Sequence, residues 1–230
     1  MEEKNILCFG DSNTHGTLPM ADFGDLRRLS RGRRWPGVMA TALGPRAHVI
    51  EEGHGGRTSV HCDPYDGDHK NGAMILPALL ESHRPLHAVI IMLGTNDLKA
   101  MFNVGPQDIA LSLERLHRII RAAECGPGGG KPDVLFVAPV AIVETGLFAQ
   151  MFAGGAAKNA RLADEIAIMA ARVGAGFFDA NSVASVDPVE GIHLDADGHH
   201  RLGSALADWC ASHILDASDP QSSTRRISDS

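Results

Sequence analysis

The sequence predicts an α/β fold, a three-layer α/β/α sandwich on a five-stranded parallel sheet. Three observations predict it. Five short apolar runs alternate with five segments of helical pattern along the 230 residues. Most of those runs are apolar at successive positions rather than at every second one, as strands covered on both faces require. Ser12, Gly56 and Asn96 each follow the C-terminal end of such a run. That rim is where sheets of this kind bind ligands.

The first strand is expected at 5–9 and breaks at Gly10, which permits a sharp turn. Further strands are expected at 47–51, 87–93, 133–138 and 176–179, with Ala88 to Leu93 the strongest signal. Helices are expected at 34–43, 71–83, 107–124, 156–173 and 196–214. Pro36 suits the first turn of its helix. Leu162, Ile166, Met169 and Val173 mark one face of a long helix over 156–173. Asp195 is a natural N-cap for the last helix. Residues 17–33 are rich in Asp and Arg without periodicity and read as a surface loop near the mouth of the site. Residues 140–155 form an apolar loop, suited to an acyl-binding wall, a subunit interface or both. Residues 126–130 are a flexible connector without the spacing of a phosphate-binding loop. A single domain over 1–216 and a disordered tail over 217–230 complete the organisation.

The chemistry concentrates in four blocks. In Gly10-Asp11-Ser12-Asn13, Ser12 stands where a strand ends and a helix begins, beside backbone N–H groups. It is either a helix N-cap or a nucleophile whose reaction develops a negative oxygen. Glu190-Gly191-Ile192-His193 lies at the other end of the chain. Glu190 can orient the imidazole of His193 through one nitrogen and leave the other to take a serine proton. Asp187, six residues before the histidine, is a rival for that role. Gly55-Gly56 can present a bare N–H, and Asn96 can turn its amide into a shared cleft. With the Ser12 amide these make a three-donor oxyanion hole. Taken singly, the same glycines and the Asn-Asp pair are ordinary turn residues. Asp11, Gly55 and Thr95 flank these positions and are candidate substrate-binding residues.

Composition narrows the class. The net charge is −7 and no basic stripe is present, which argues against a nucleic-acid partner. No apolar run is long enough to cross a bilayer, and no signal segment precedes the first strand. Four scattered cysteines read as reduced thiols of a cytoplasmic protein. Twelve histidines include His193, His199 and His200 near Asp195 and Asp197, yet no metal-ligand spacing appears. No metal or cofactor is expected, and His199 and His200 are expected on a helix, at the surface or partly buried.

Together the four blocks resemble those of the SGNH hydrolases, the GDSL-type esterase superfamily, which carry Ser, Gly, Asn and His in this order. The likeness is closer to the bacterial arylesterase/acyltransferase and carbohydrate acetylesterase branch. Ile6 to Ser12, Glu51-Glu52-Gly53, Arg57-Thr58, Ile90 to Lys99 and Gly191-Ile192-His193 carry it, and it runs from about Asn5 to about Leu215. The resemblance implies the flavodoxin-like form of the sandwich. It implies Ser12 as nucleophile, His193 as base, and the Ser12 and Gly56 amides with the Asn96 side chain as oxyanion hole. It also implies short acyl esters as substrates, acetyl first, and acyl transfer to alcohols. One position departs from the pattern: the family places Asp three residues before the histidine, and here that residue is Glu190. The longer arm requires the backbone to move by about an ångström for the same contact, and Glu fills this role in other hydrolases. A homo-oligomer is expected from the apolar loop. The contrasting reading is a non-catalytic binding protein on the same scaffold.

Overall fold

The five apolar runs become one all-parallel sheet in a computed structural model that describes residues 3–216. The strands are β1 (Lys4–Gly10), β2 (Ala47–Gly53), β3 (Ala88–Met92), β4 (Asp133–Ala138) and β5 (Gly176–Asp179), in the order β2-β1-β3-β4-β5. Ile6 pairs with Val49 on one side and Ala88 on the other, so β1 lies inside the sheet. The chain leaves β1 toward β2 and returns to β3 on its other side. This switch point opens a crevice at the C-terminal ends of β1 and β3.

Successive strand residues feed two separate cores. Leu7, Phe9, Val89, Ile91 and Phe136 pack under α3 (Gly72–His83), α4 (Pro106–Ala122) and α6 (Leu162–Val173). Ile6, Cys8, Val49, Ile90 and Val137 pack under α2 (Trp35–Leu43) and α7 (Ala196–Cys210). Both faces of the three central strands, β1, β3 and β4, are therefore largely dry, which explains their unbroken apolar runs. Each fully buried Leu, Ile or Phe contributes about 1.5–3 kcal/mol relative to exposure.

Several local expectations hold. Pro36 lies in the first turn of α2, and Asp195 caps α7 by accepting the Gly198 N–H at 2.7 Å. Others are corrected. The single helix expected over 156–173 is two, α5 (Gly155–Asn159) and α6. Asn159 is buried and its Oδ1 accepts the Ile142 N–H at 3.0 Å, and the chain makes a turn at residues 160–161 before α6 begins. The last helix ends at Cys210 and continues as one π-turn, Ala211–Leu215. His199 is fully buried, and its Nδ1 accepts the first N–H of α2, from Trp35, at 3.2 Å. The four cysteines are free, with only Cys62 exposed. The tail expected over 217–230 lies outside the described residues. No helix among the described residues is long and apolar enough to cross a membrane.

Candidate active site

Gly10 makes the first turn possible. A Cβ there would fall 2.0 Å from the Thr14 Oγ1 and 2.8 Å from the Met92 carbonyl oxygen. The chain then enters a single helical turn, α1 (Ser12–His15). Asp11 rather than Ser12 is its cap, accepting the Asn13 N–H at 3.0 Å. The hydroxyl of Ser12 is thereby left free of capping. Ser12 is 7 % exposed and lines a cavity of about 390 Å³ at the C-terminal rim of the sheet.

His193 reaches the same cavity from the loop after β5. Its placement is over-determined. Glu190 takes the ring Nδ1 with one carboxylate oxygen, and with the other accepts the Ile192 and His193 N–H groups at 2.9 and 2.8 Å. Burial pushes the Glu190 carboxyl up, but the hydrogen bond and charge of His193 with the two backbone donors outweigh it, so its pKa lies below the ordinary value. Asp187 does not touch the ring. It accepts the Val189 and Glu190 N–H groups at 2.9 and 2.8 Å and stiffens the loop from below. The added methylene of Glu190 is thus absorbed by a tight loop whose backbone the same carboxylate holds.

Asn13, next to Ser12 in the chain, grips the histidine segment directly. Its Nδ2 donates to the Ile192 carbonyl at 3.1 Å, and its Oδ1 accepts the Leu194 N–H at 2.9 Å. One side-chain amide thus brackets His193 on both sides across about 180 residues of sequence. Nothing in the local sequence marks Asn13 for this role, since both partners come from the far end of the chain.

The remaining two blocks meet beside Ser12. Gly56 adopts φ +76°, a left-handed conformation that favours glycine. Arg57 locks the segment behind it. Its guanidinium donates to the Gly10 carbonyl at 2.8 Å and to the Glu52 carbonyl, and lies 4.3 Å over the Phe9 ring. Burial lowers its pKa to about 10. Asn96 donates to the Arg57 carbonyl at 3.1 Å, with only a long contact of 3.5 Å to the Asp11 carboxylate. Asp97, fully buried, receives the Ser59 N–H and hydroxyl, tying the Gly56 loop to the end of β3. Burial raises the Asp97 pKa, and it raises that of Asp11 to about 6, partly offset by the Asn13 N–H and the His193 charge.

Of the three residues expected to bind substrate, Gly55 lines the cavity, whereas Asp11 and Thr95 are buried and absent from its wall. Both loops anticipated at the mouth contribute: Phe23 and Leu26 from 17–33, and Phe148, Met151 and Phe152 from 140–155. The Phe148 ring stands edge-on to His193 at 5.8 Å. A second cavity of about 600 Å³ shares Phe23, Asp66, Lys99 and Met151 with the first. Lys99 and Asp63 form a buried ion pair there at 3.1 Å. His15 and Lys70 also line the first cavity. Neither they nor Lys99 stood out in the sequence as site residues. Burial, with the charges of Arg28 and Arg34, lowers the His15 pKa to about 4.

A hydroxyl, a carboxylate-bound imidazole and convergent amide donors in one cavity are the parts that acyl transfer needs. The comparisons agree. The fold is similar to that of the M. smegmatis aryl esterase, with 42% identity over 92% of this chain and 100% of that one, and a TM-score of 0.87. It is similar to a carbohydrate acetylesterase from Sinorhizobium meliloti, with 39% identity over 91% and 99% of the two chains and a TM-score of 0.87. A second carbohydrate acetylesterase family member from that organism matches at 38% identity over 93% and 99%, with a TM-score of 0.84. A comparison with curated proteins gives no match. The model of the GDSL-like lipase/acylhydrolase family matches residues 8–201, from within β1 through His193 and into α7. With that span and these neighbours, the chain belongs to the GDSL-like lipase/acylhydrolase family.

Proposed function

We propose that this protein is a serine esterase that cleaves short-chain esters, acetyl esters first, through an acyl-enzyme. Aryl and alkyl acetates and acetylated carbohydrates are its substrate classes, in keeping with the similar aryl esterase and carbohydrate acetylesterases. The observation that carries this reading is the His193 ring, engaged by Glu190 at Nδ1 and lining the cavity that Ser12 lines. With Nδ1 engaged, Nε2 is the atom that takes the Ser12 proton as the hydroxyl attacks the ester carbonyl. Glu190, held ionised, supports the imidazolium that forms. The Ser12 amide, the Gly56 amide and the Asn96 side chain receive the developing oxyanion. Loss of one such donor typically costs about 3–4 kcal/mol, a hundred- to thousandfold in rate. His193 then returns the proton to the leaving alcohol, and water or a second alcohol resolves the acyl-enzyme. The apolar wall of Phe148, Phe152 and Ile192 keeps water scarce around it, which favours transfer to alcohols.

Residues 1–216 form the single catalytic domain in this reading. Phe23 and Leu26 at the mouth are 64 % and 90 % exposed, which supports burial of that rim in a homo-oligomer. The buried free thiols of Cys8, Cys125 and Cys210 support a cytoplasmic location. A fluorophosphonate probe should label the protein and fail to label Ser12→Ala, which should also lose turnover of p-nitrophenyl acetate. Retained turnover in that variant rejects Ser12 as the nucleophile. Acetate release from acetylated xylose, set against aryl acetates and longer acyl chains, ranks the substrate classes. Light scattering after size exclusion tests the oligomer, and a clean monomer excludes it.

A further inference from the structure

The peptide bond between Gly55 and Gly56 carries a carbonyl on one edge and the Gly56 N–H on the other, fixed in one plane. Neither residue has a Cβ, so the turn has little steric restraint of its own. Lys70, from the turn Asp68–Lys70 before α3, supplies one. Its Nζ donates to the Gly55 carbonyl at 2.9 Å. Its stem lies against the turn, since a Cβ on Gly56 would sit 3.4 Å from the Lys70 Cε. The other two lysine and arginine cations on this cavity are taken by carboxylates, Arg27 by Asp25 and Lys99 by Asp63. Lys70 has no carboxylate partner among the described residues. Its other neighbour is the His54 Nε2 at 3.4 Å. Burial first, then the Lys70 charge, lowers the His54 pKa to about 4, so at neutral pH its ring is an uncharged acceptor.

We infer that Lys70 is a positioning residue of the oxyanion hole: its ammonium fixes and polarises the Gly55–Gly56 peptide so that the Gly56 N–H donates more strongly. This rests on the proposed role of the Gly56 amide. A charge-assisted hydrogen bond on a carbonyl increases the dipole of its own amide, and the N–H on the opposite edge gains donor strength. The gain is largest when negative charge develops opposite that N–H, so it belongs to the transition state more than to the bound ester.

The test is steady-state hydrolysis of p-nitrophenyl acetate by Lys70→Met and Lys70→Arg, with inhibition by a trifluoromethyl ketone that forms a tetrahedral adduct. Lys70→Met should lower kcat about tenfold, short of the hundred- to thousandfold for outright loss of a donor, with KM within about twofold. Ki for the ketone should rise by the same factor as kcat/KM falls. Lys70→Arg, which keeps the charge, should recover most of the loss. An unchanged kcat in Lys70→Met overturns the inference. So does a rise in KM alone, which would make the ammonium a substrate contact, or a fall in kcat with Ki unmoved. Thermal melting checks folding, and Lys70→Gln replaces the Met variant if that one does not fold. Ser12→Ala is assayed alongside: an inactive Ser12 variant with a fully active Lys70→Met removes only the Lys70 inference, whereas an active Ser12 variant removes the esterase reading itself.

Discussion

Asn13→Ala offers a direct test of how the two halves of the site are held together. The Asn13 amide makes two buried hydrogen bonds, at 3.1 Å to the Ile192 carbonyl and 2.9 Å from the Leu194 N–H. Truncation leaves one carbonyl and one N–H without partners in a region where Asn13, Ile192 and Leu194 are all buried. Each orphaned group costs about 1–3 kcal/mol, so the loss should be about 2–6 kcal/mol, against a total stability of about 5–15 kcal/mol for a domain. Activity should fall as well, because His193 lies between the two anchored residues. A displacement of about 1 Å can cost a hundredfold in rate. Urea unfolding gives the first number and kcat/KM for p-nitrophenyl acetate the second. Asn13→Asp separates the two bonds: it keeps an acceptor for Leu194 but sets a carboxylate against the Ile192 carbonyl, and should be no better than Ala. A loss under about 0.5 kcal/mol in Asn13→Ala with unchanged kcat/KM would refute the clamp.

Two further predictions concern the acids of the site. Glu190→Gln should reduce kcat by about a hundredfold to ten-thousandfold, since an amide can support the wrong tautomer of His193, whereas Asp187→Ala should act on stability, by about 1–3 kcal/mol, and far less on rate. The reverse ranking in kcat would transfer the orienting role to Asp187. Asp11 ionises near 3.8 in the unfolded chain and near 6 in the fold, so between those values the folded state holds the extra proton. Its contribution to stability is therefore fully present below about pH 4 and is lost as pH rises through about 6, by about 3 kcal/mol at most. Asp11→Asn, which can still accept the Asn13 N–H, should be free of that decline; identical stability–pH slopes for the two proteins between pH 4 and 7 would show that Asp11 does not carry it.

The sheet was legible because strands dry on both faces must be apolar at nearly every position, as in Ala88 to Met92. Ser12, Gly56, Asn96 and His193 were legible because each sits where a strand or loop reaches the C-terminal rim. What escaped depends on partners distant in sequence. The break between α5 and α6 rests on Asn159 answering the Ile142 N–H, and helical periodicity carries no trace of that bond. Asn13 looks like any polar residue in a first turn until Ile192 and Leu194 arrive beside it. Lys70 reads as a solvated charge until the Gly55 carbonyl is placed within its reach. The choice between Glu190 and Asp187 could not be settled by spacing alone, because both carboxylates serve the same tight loop and only one faces the ring.

The clamp between Asn13 and the Ile192–Leu194 segment also orders events during synthesis. Asn13 leaves the ribosome with the first strand, and its partner Leu194 follows 181 residues behind it. At typical elongation speeds that gap lasts about ten to forty seconds. Throughout it, Asn13 waits with two unanswered polar atoms and Ser12 has no imidazole beside it. With Ser12 and His193 in the roles proposed for them, a nascent or prematurely ended chain is chemically silent, and reactivity begins only when the last loop closes onto the first turn.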